Sequence, residues 1–254
     1  MKQRLDQTIV ARGLVATRSQ AESYIKLGEV WIGGKVVTKP GAFVDDDAEI
    51  KLTAAEQYVS RAALKLASVA QTLGLDFKGK VVLDVGSSTG GFTDYALRHG
   101  ARKVIAVEVG TGQLHPSLRG NPKIELHEQT DIRDVRLQEV VPLGARKYGI
   151  VYISTAPDVV VIDVSFISLR EILPHVAKLS SPKTKIITMV KPQFEAVTAK
   201  LKHKGVIKND RMRRDILKDF EAWVTNYCVI IDKADSQITG AKGNRERFYK
   251  LRKP

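Results

Sequence analysis

The chain has 254 residues, 43% of them hydrophobic, enough to bury the core of one larger domain and a small companion. Apolar runs fall short of the ~18 residues of a membrane span, and Met1-Lys2-Gln3-Arg4-Leu5-Asp6 has no signal-peptide character, so the expected compartment is the cytoplasm. The formal net charge is +13, and it is uneven: residues 183–254 hold 18 Lys/Arg against 8 Asp/Glu, whereas residues 1–60 balance at 8 and 8. A field of that sign favours a polyanionic partner, either nucleic acid or an anionic membrane surface, and charge alone does not choose between them. The single cysteine, Cys228, lies in an apolar run and reads as core, which excludes a disulfide framework and a cysteine zinc site.

From the N terminus, Arg4 to Gly13 spaces Leu5 and Ile9 one turn apart and stops at glycine, as a short amphipathic helix does. Ser19-Gln20-Ala21-Glu22 reads as a capping box that opens a second helix, ended by Gly28. Val30-Trp31-Ile32 and Lys35-Val36-Val37 flank a Gly33-Gly34 turn as a hairpin. Asp45-Asp46-Asp47 is a turn, and Glu49 to Leu52 alternates like a closing strand. This whole segment resembles an S4 domain, a small RNA-binding module, assigned here to residues 1–52. The resemblance nominates Arg4, Arg18, Lys26 and Lys35 as RNA contacts; the competing reading is surface charge on a protein-docking module, because phosphate contacts carry no sequence signature. Residues 53–57 lack strand alternation and are the expected linker to a second domain at residues 58–254.

Ser60 is placed to cap a helix with an apolar stripe of Ala62, Leu66, Val69 and Leu73. Lys65 stands at the edge of that stripe, either snorkelling over the core or serving a site. Next comes Val81 to Phe92, VVLDVGSSTGGF, in which a strand runs into a turn of small residues. Gly86, Gly90 and Gly91 remove Cβ atoms where a backbone bends or approaches a ligand, and Ser88 and Thr89 add hydroxyls. The next strand pattern, Lys103 to Val107, ends at Glu108, an acid placed to accept ribose hydroxyls; the two halves in this order point to a nucleoside-cofactor site. The loop resembles the first motif of class I methyltransferases, which implies S-adenosylmethionine bound through Asp84, Gly86, Ser88, Thr89, Gly90, Gly91, Phe92, Glu108 and Asp131.

Strand patterns at Ile124–His127, Val159–Asp163 and Ile186–Lys191 then alternate with helical ones, predicting parallel strands with crossover helices: an α/β, Rossmann-like fold beside a small α+β domain. The strand ends carry Asp84, Glu108, Asp131, Asp163 and Lys191, and ligands collect at that edge of such sheets. Lys200, Lys202 and Lys204 make a basic loop beside it, read as an RNA contact or as solvated charge. His203 has no second histidine at ligand spacing, so no metal is expected. A helix over 210–227, a strand around Cys228–Ile231 and a last strand from Gly243 follow, with Glu246, Phe248 and Lys250 on one side of that strand.

The strings YVSRAALKL, VLDVGSSTGGFTD, GTGQLHPSLR, IDVSFISL, VKPQFE and GNRERF together resemble, essentially end to end, the TlyA or haemolysin A family of ribosomal RNA 2′-O-methyltransferases. The resemblance implies a Lys-Asp-Lys-Glu tetrad at Lys65, Asp163, Lys191 and Glu246, with Lys191 either the base for a ribose hydroxyl or the group that steers it. It implies a monomer acting on ribosomal RNA or a ribosomal subunit, a cytidine being the expected target. The short N terminus resembles the form associated with large-subunit rRNA. Glu108 and Asp131 stand where aspartate and asparagine are usual, and residues 146–157 are longer than the pattern. Two other readings are a membrane-active haemolysin, disfavoured by the lack of a basic amphipathic helix with aromatic anchors, and a non-catalytic assembly factor.

Overall fold

The computed structural model describes residues 2–54, 58–138, 149–196, 205–240 and 242–254. Strand β1 (Lys2–Arg4) leads directly into helix α1 (Leu5–Ala11), which buries Leu5 and Ile9, and Gly13 at φ +68° turns the chain out of it. Helix α2 (Arg18–Lys26) starts earlier than the box at Ser19 and Glu22 implies. Thr17 is the cap, its hydroxyl accepting the Gln20 N–H at 3.2 Å while the Gln20 side-chain oxygen accepts the Thr17 N–H at 3.1 Å. The observed box, Thr17–Gln20, overlaps the expected one, Ser19–Glu22, by two residues. Gln20 decides between them because it is buried and its Nε2 also donates to the Tyr58 carbonyl at 2.9 Å. Strands β2 (Val30–Ile32) and β3 (Lys35–Val36) form the expected hairpin, with Gly33 and Gly34 at φ +52° and +78° as a primed turn requires. Strand β4 (Phe43–Asp45) pairs with β1 and β5 (Ile50–Leu52) with β2, both antiparallel.

The rest of the chain builds three layers. Helix α3 (Arg61–Ala70) precedes β6 (Val81–Val85), α4 (Gly91–Arg98), β7 (Lys103–Val107), β8 (Ile124–His127), β9 (Val135–Leu137), β10 (Val151–Ile153) and β11 (Val159–Ile162). Then come α5 (Leu173–Leu179), β12 (Lys185–Val190), α6 (Pro192–Glu195), α7 (Asp210–Val224), β13 (Val229–Asp235) and β14 (Arg247–Arg252). The seven-stranded sheet has the order β13-β14-β12-β11-β6-β7-β8. Ladders from β12 to β8 are parallel, as the strand–helix alternation predicts, but β14 runs antiparallel to both neighbours. The β13–β14 connection carries no helix among its described residues, and a parallel crossover needs one or a comparable length of chain. Residues of α3 and α4 pack in the core on one face, and those of α5 and α7 on the other. Of residues 146–157, the first three lie outside the described residues, and Val151–Ile153 pairs with β9 as a separate parallel ladder. Among the described residues, no helix is long and apolar enough to cross a membrane.

The N-terminal module and the large sheet share one apolar core, in which Ile9 and Tyr24 belong with Tyr58 and Tyr95. Polar contacts fasten the same seam. The Val59 N–H donates to Asp94 at 2.9 Å, and Arg98, paired with Asp94 at 2.7 Å, lies over the Tyr58 ring. Ser60 occupies the N-cap position of α3 with extended backbone, yet its hydroxyl makes no capping bond, contrary to expectation. It lies instead against Gly91 at the start of α4: a Cβ on Gly91 would collide with the Ser60 hydroxyl and come within 2.8 Å of the Ala62 Cβ. Gly91 therefore sets how closely α3, which carries Lys65, approaches α4. Gly91→Ala is expected to destabilise the fold by about 1–3 kcal/mol, the usual range for overpacking, read as a lower denaturation midpoint; an unchanged midpoint would refute the close-contact role.

Candidate active site

At the end of β6 the chain turns at Gly86, φ +79°, under the segment that leaves β11: a Cβ on Gly86 would lie 3.0 Å from the Asp163 carbonyl oxygen. Ser88 also adopts a positive φ, +46°, and its N–H donates to Glu108 Oε2 at 2.9 Å, while the Gly110 N–H donates to Oε1 at 2.8 Å. Two backbone donors thus fix the Glu108 carboxylate, and a carboxylate has lone pairs beyond those two bonds for ribose hydroxyls. A cavity of about 420 Å³ opens here, lined by Gly86, Ser88, Glu108, Asp131, Ile132 and Asp163. Val109, Ile132 and Ile172 give it apolar walls. Its size, its apolar wall for a purine and its acidic groups for ribose hydroxyls and a cationic sulfonium fit S-adenosylmethionine. Asp131 is engaged already: it takes Arg133 Nε and Nη2 at 3.0 and 2.7 Å, which holds its carboxyl below the usual range.

Five residues expected to bind the cofactor lie outside the cavity lining. Asp84 is buried on β6, where its Oδ2 accepts the Thr93 hydroxyl at 2.7 Å and its Oδ1 has no hydrogen-bond partner. Burial pushes its carboxyl up to about 7, the Thr93 bond opposing and the charges of Asp163 and Glu108 reinforcing the shift. Thr89 is exposed on the loop. Gly90, φ +88°, is a packing position: a Cβ there would lie 2.6 Å from Leu118 and 2.7 Å from Leu114. Gly91 packs on α3 as described, and Phe92 faces the core, its ring centroid 6.1 Å from that of Phe248.

A second cavity, of about 380 Å³, holds Lys65, Lys191 and Glu246, and shares Ser165 and Phe166 with the first. Lys191, just past β12, pairs with Asp163, just past β11, at 2.6 Å and donates to the Ser165 hydroxyl at 2.8 Å. Lys65 on α3 pairs with Glu246, just before β14, at 2.6 Å. All four expected catalytic residues therefore meet as two ion pairs. The antiparallel course of β14 is what delivers Glu246: Arg247 pairs with Val190, at the strand end that leads into Lys191. The predicted one-sidedness of the last strand holds too, since Phe248 meets Phe92 and Lys250 donates to the Leu73 carbonyl at 2.7 Å, on the same face as Lys65. Phe166 is 93% exposed at the seam, with φ +67°, and its ring lies 5.4 Å from that of Phe194.

The sequence did not single out Ser165 or Asn244. Asn244 is buried and fastens the Gly205–Ile207 segment, accepting the Ile207 N–H at 2.8 Å and donating to the Gly205 carbonyl at 2.9 Å. Among the proposed RNA contacts, Arg4 and Arg18 converge on the buried Asp6, each at 2.9 Å, with much of both side chains still exposed. Lys26 and Lys35 are exposed, and Lys200, Lys202 and Lys204 lie outside the described residues.

Comparison with known proteins gives this geometry a family. Residues 58–253 match the FtsJ-like methyltransferase family, and residues 3–50 match the S4 domain. The 23S rRNA (cytidine-2′-O)-methyltransferase TlyA of Campylobacter jejuni is 40% identical over 76% of this chain and 70% of its own. The 16S/23S rRNA (cytidine-2′-O)-methyltransferase TlyA of Mycobacterium tuberculosis is 35% identical over 98% of this chain and 89% of its own. A solved chain from Streptococcus thermophilus, provisionally named a hemolysin, superposes with a TM-score of 0.68 at 34% identity, covering 99% of this chain and 88% of its own. The chain therefore belongs to the FtsJ-like, S-adenosylmethionine-dependent methyltransferases, in the TlyA and hemolysin A group that carries an S4 domain at the N terminus.

Proposed function

We propose that this protein methylates the ribose 2′-hydroxyl of a cytidine in ribosomal RNA, large-subunit RNA being the favoured substrate. The observation that carries the reading is the junction of the two cavities at Ser165 and Phe166, with Lys191 beside it. A 2′-hydroxyl is a weak acid, and its oxygen must lose the proton as the new C–O bond forms. An ammonium has three N–H directions. Asp163 and Ser165 take two for Lys191, which leaves the third for the hydroxyl oxygen. Lys191 thereby orients the nucleophile, and in its neutral form accepts the proton. Lys65, held by Glu246 in the same cavity, adds a second cation for the adjoining phosphate. Phe166 offers an exposed aromatic face on which the target base can stack. Gly86, Ser88, Glu108 and Asp131 would hold S-adenosylmethionine, which when bound would supply an activated methyl group with its own leaving group. The chain's task is then largely alignment. Arg4, Arg18, Lys26 and Lys35 of the S4 domain serve as phosphate contacts that set the register of the RNA.

The test is transfer of labelled methyl from S-adenosylmethionine to free rRNA, isolated subunits and assembled ribosomes, with the 2′-O-methylated nucleotide mapped. Lys191→Ala is expected to lower transfer by ~10²–10⁴-fold, the range for a lost acid–base group, with cofactor affinity unchanged by calorimetry. Full activity of that variant would sink the assignment of Lys191. A wild-type protein that binds RNA but methylates none of the three substrates is an assembly factor instead. Gly86→Ala tests the cofactor cradle. A Cβ at φ +79° against the Asp163 carbonyl costs about 1–3 kcal/mol; a loop shifted to relieve it is expected to weaken the cofactor Kd by roughly 5- to 150-fold, and unchanged affinity would remove Gly86 from the site.

A further inference from the structure

The string VKPQFE carries a second ionisable group, Glu195, one helical turn beyond Lys191, and the methyl-transfer chemistry gives it no task. Glu195 ends α6, is 2% exposed, and lines neither cavity of the site. Both of its carboxylate oxygens are nevertheless hydrogen-bonded. Oε1 accepts the Leu169 N–H at 2.7 Å and Oε2 accepts the Ser168 hydroxyl at 2.7 Å. Arg170 approaches from the same turn, its Nε 3.8 Å from Oε2, while its Nη2 bonds Asp219 of α7 at 2.7 Å. Burial pushes the Glu195 carboxyl up, against the opposing pull of the Leu169 N–H, the Ser168 hydroxyl and Arg170. Taking a carboxyl group this far from water costs free energy, which the bonds from Leu169 and Ser168 and the nearby Arg170 offset.

What it holds is the far end of the segment that leaves β11. Between Asp163 and Ser168 lie Ser165, which accepts from Lys191, and Phe166, at a positive φ that a bulky residue adopts only where its surroundings over-determine it. At the near end this segment is pinned by the Lys191–Asp163 pair and at the far end by Glu195. Lys191 is the N-cap of α6 and Glu195 its last residue, so one short helix spans both anchors, with Phe194 of the same helix against Phe166.

We propose that Glu195 is a positioning residue for methyl transfer: its buried carboxylate ties the end of α6 to the Ser168–Leu169 turn and fixes Ser165 and Phe166 where the RNA ribose meets the cofactor. The inference rests on the methyl-transfer reading above. Its test uses the full chain with S-adenosylmethionine and the rRNA substrate at saturation, comparing Glu195→Ala with Glu195→Gln. The glutamine keeps both tethers, since its oxygen can accept the Leu169 N–H and its amide can donate to a Ser168 hydroxyl turned round to accept. The alanine keeps neither.

Misplacement of reacting groups by about an ångström costs on the order of a hundredfold, so kcat of Glu195→Ala should fall by about that factor. The rate is expressed per molecule that binds S-adenosylmethionine, and the KM for RNA should stay near that of the wild type. Glu195→Gln should retain most of the rate. Such rescue separates positioning from bulk stability, which would reduce the number of binding-competent molecules and not the rate of each. Wild-type kcat per competent molecule in Glu195→Ala overturns the proposal, and so does a Glu195→Gln as damaged as the alanine. Should Glu195→Ala not fold, Ser168→Ala removes one strand of the tether together with the bond its hydroxyl accepts from the Arg170 N–H; an intermediate loss of kcat supports the proposal and an undiminished kcat overturns it. Failure of the wild type on every RNA substrate ends the methyl-transfer reading and this inference with it, whereas an active wild type beside a fully active Glu195→Ala ends the inference alone.

Discussion

A lysine taken out of water must bring an anion with it, and this site meets that demand twice. Lys65 and Lys191 are both largely buried, and each finds a carboxylate on a different element, Glu246 and Asp163. The two pairs bring together α3, the ends of β11 and β12, and the approach to β14. Removing any one partner strands a buried charge, so the pairing that makes the site chemically useful also constrains how the sheet edge is assembled. The sheet order follows suit: β14 inserted antiparallel beside β12 is the arrangement that brings Glu246 to the edge where Asp163 and Lys191 already lie.

The same economy appears where the N-terminal module joins. Tyr58 and Val59 stand next to the start of α3, yet their backbone groups are bonded to Gln20 of α2 and Asp94 of α4. Arg61, on the first turn of α3, donates to the Ser19 hydroxyl at 3.2 Å and also to the Thr239 carbonyl. The helix that carries Lys65 is therefore in contact with the S4 domain on one side and with the approach to Glu246 on the other. One helix thus links the small domain to the Lys65–Glu246 pair.

Much of this was legible in the sequence because the decisive signals are local. Glycines at positive φ, such as Gly33, Gly34 and Gly86, mark turns whatever the tertiary context, and continuous apolar runs mark covered strands. The four tetrad positions were legible through the family resemblance, and Lys65 and Glu246 also through the faces they occupy on their elements. What escaped depends on contacts between distant segments. Strands β1 and β4 are three residues each, too short to show alternation, and exist because they pair with one another. Phe92 belongs to a cofactor-loop string but lies one residue into α4, where helical periodicity turns it to the core. The overlapping capping boxes were decided by Gln20, whose second partner is Tyr58. Ser165 and Glu195 are ordinary polar letters until the loop after β11 folds back on α6.

The place of β14 in the sheet bears on how the protein comes into being. Strands β6 and β7, with Gly86 and Glu108, are synthesised before the strands that lead to Asp163 and Lys191. Glu246 and the strand behind it come last, and β14 must slot between β12 and the already synthesised β13 before Lys65 has a counter-ion. The Lys65–Glu246 pair is therefore the non-local closure of this sheet edge, whereas the Lys191–Asp163 pair joins the ends of two neighbouring strands.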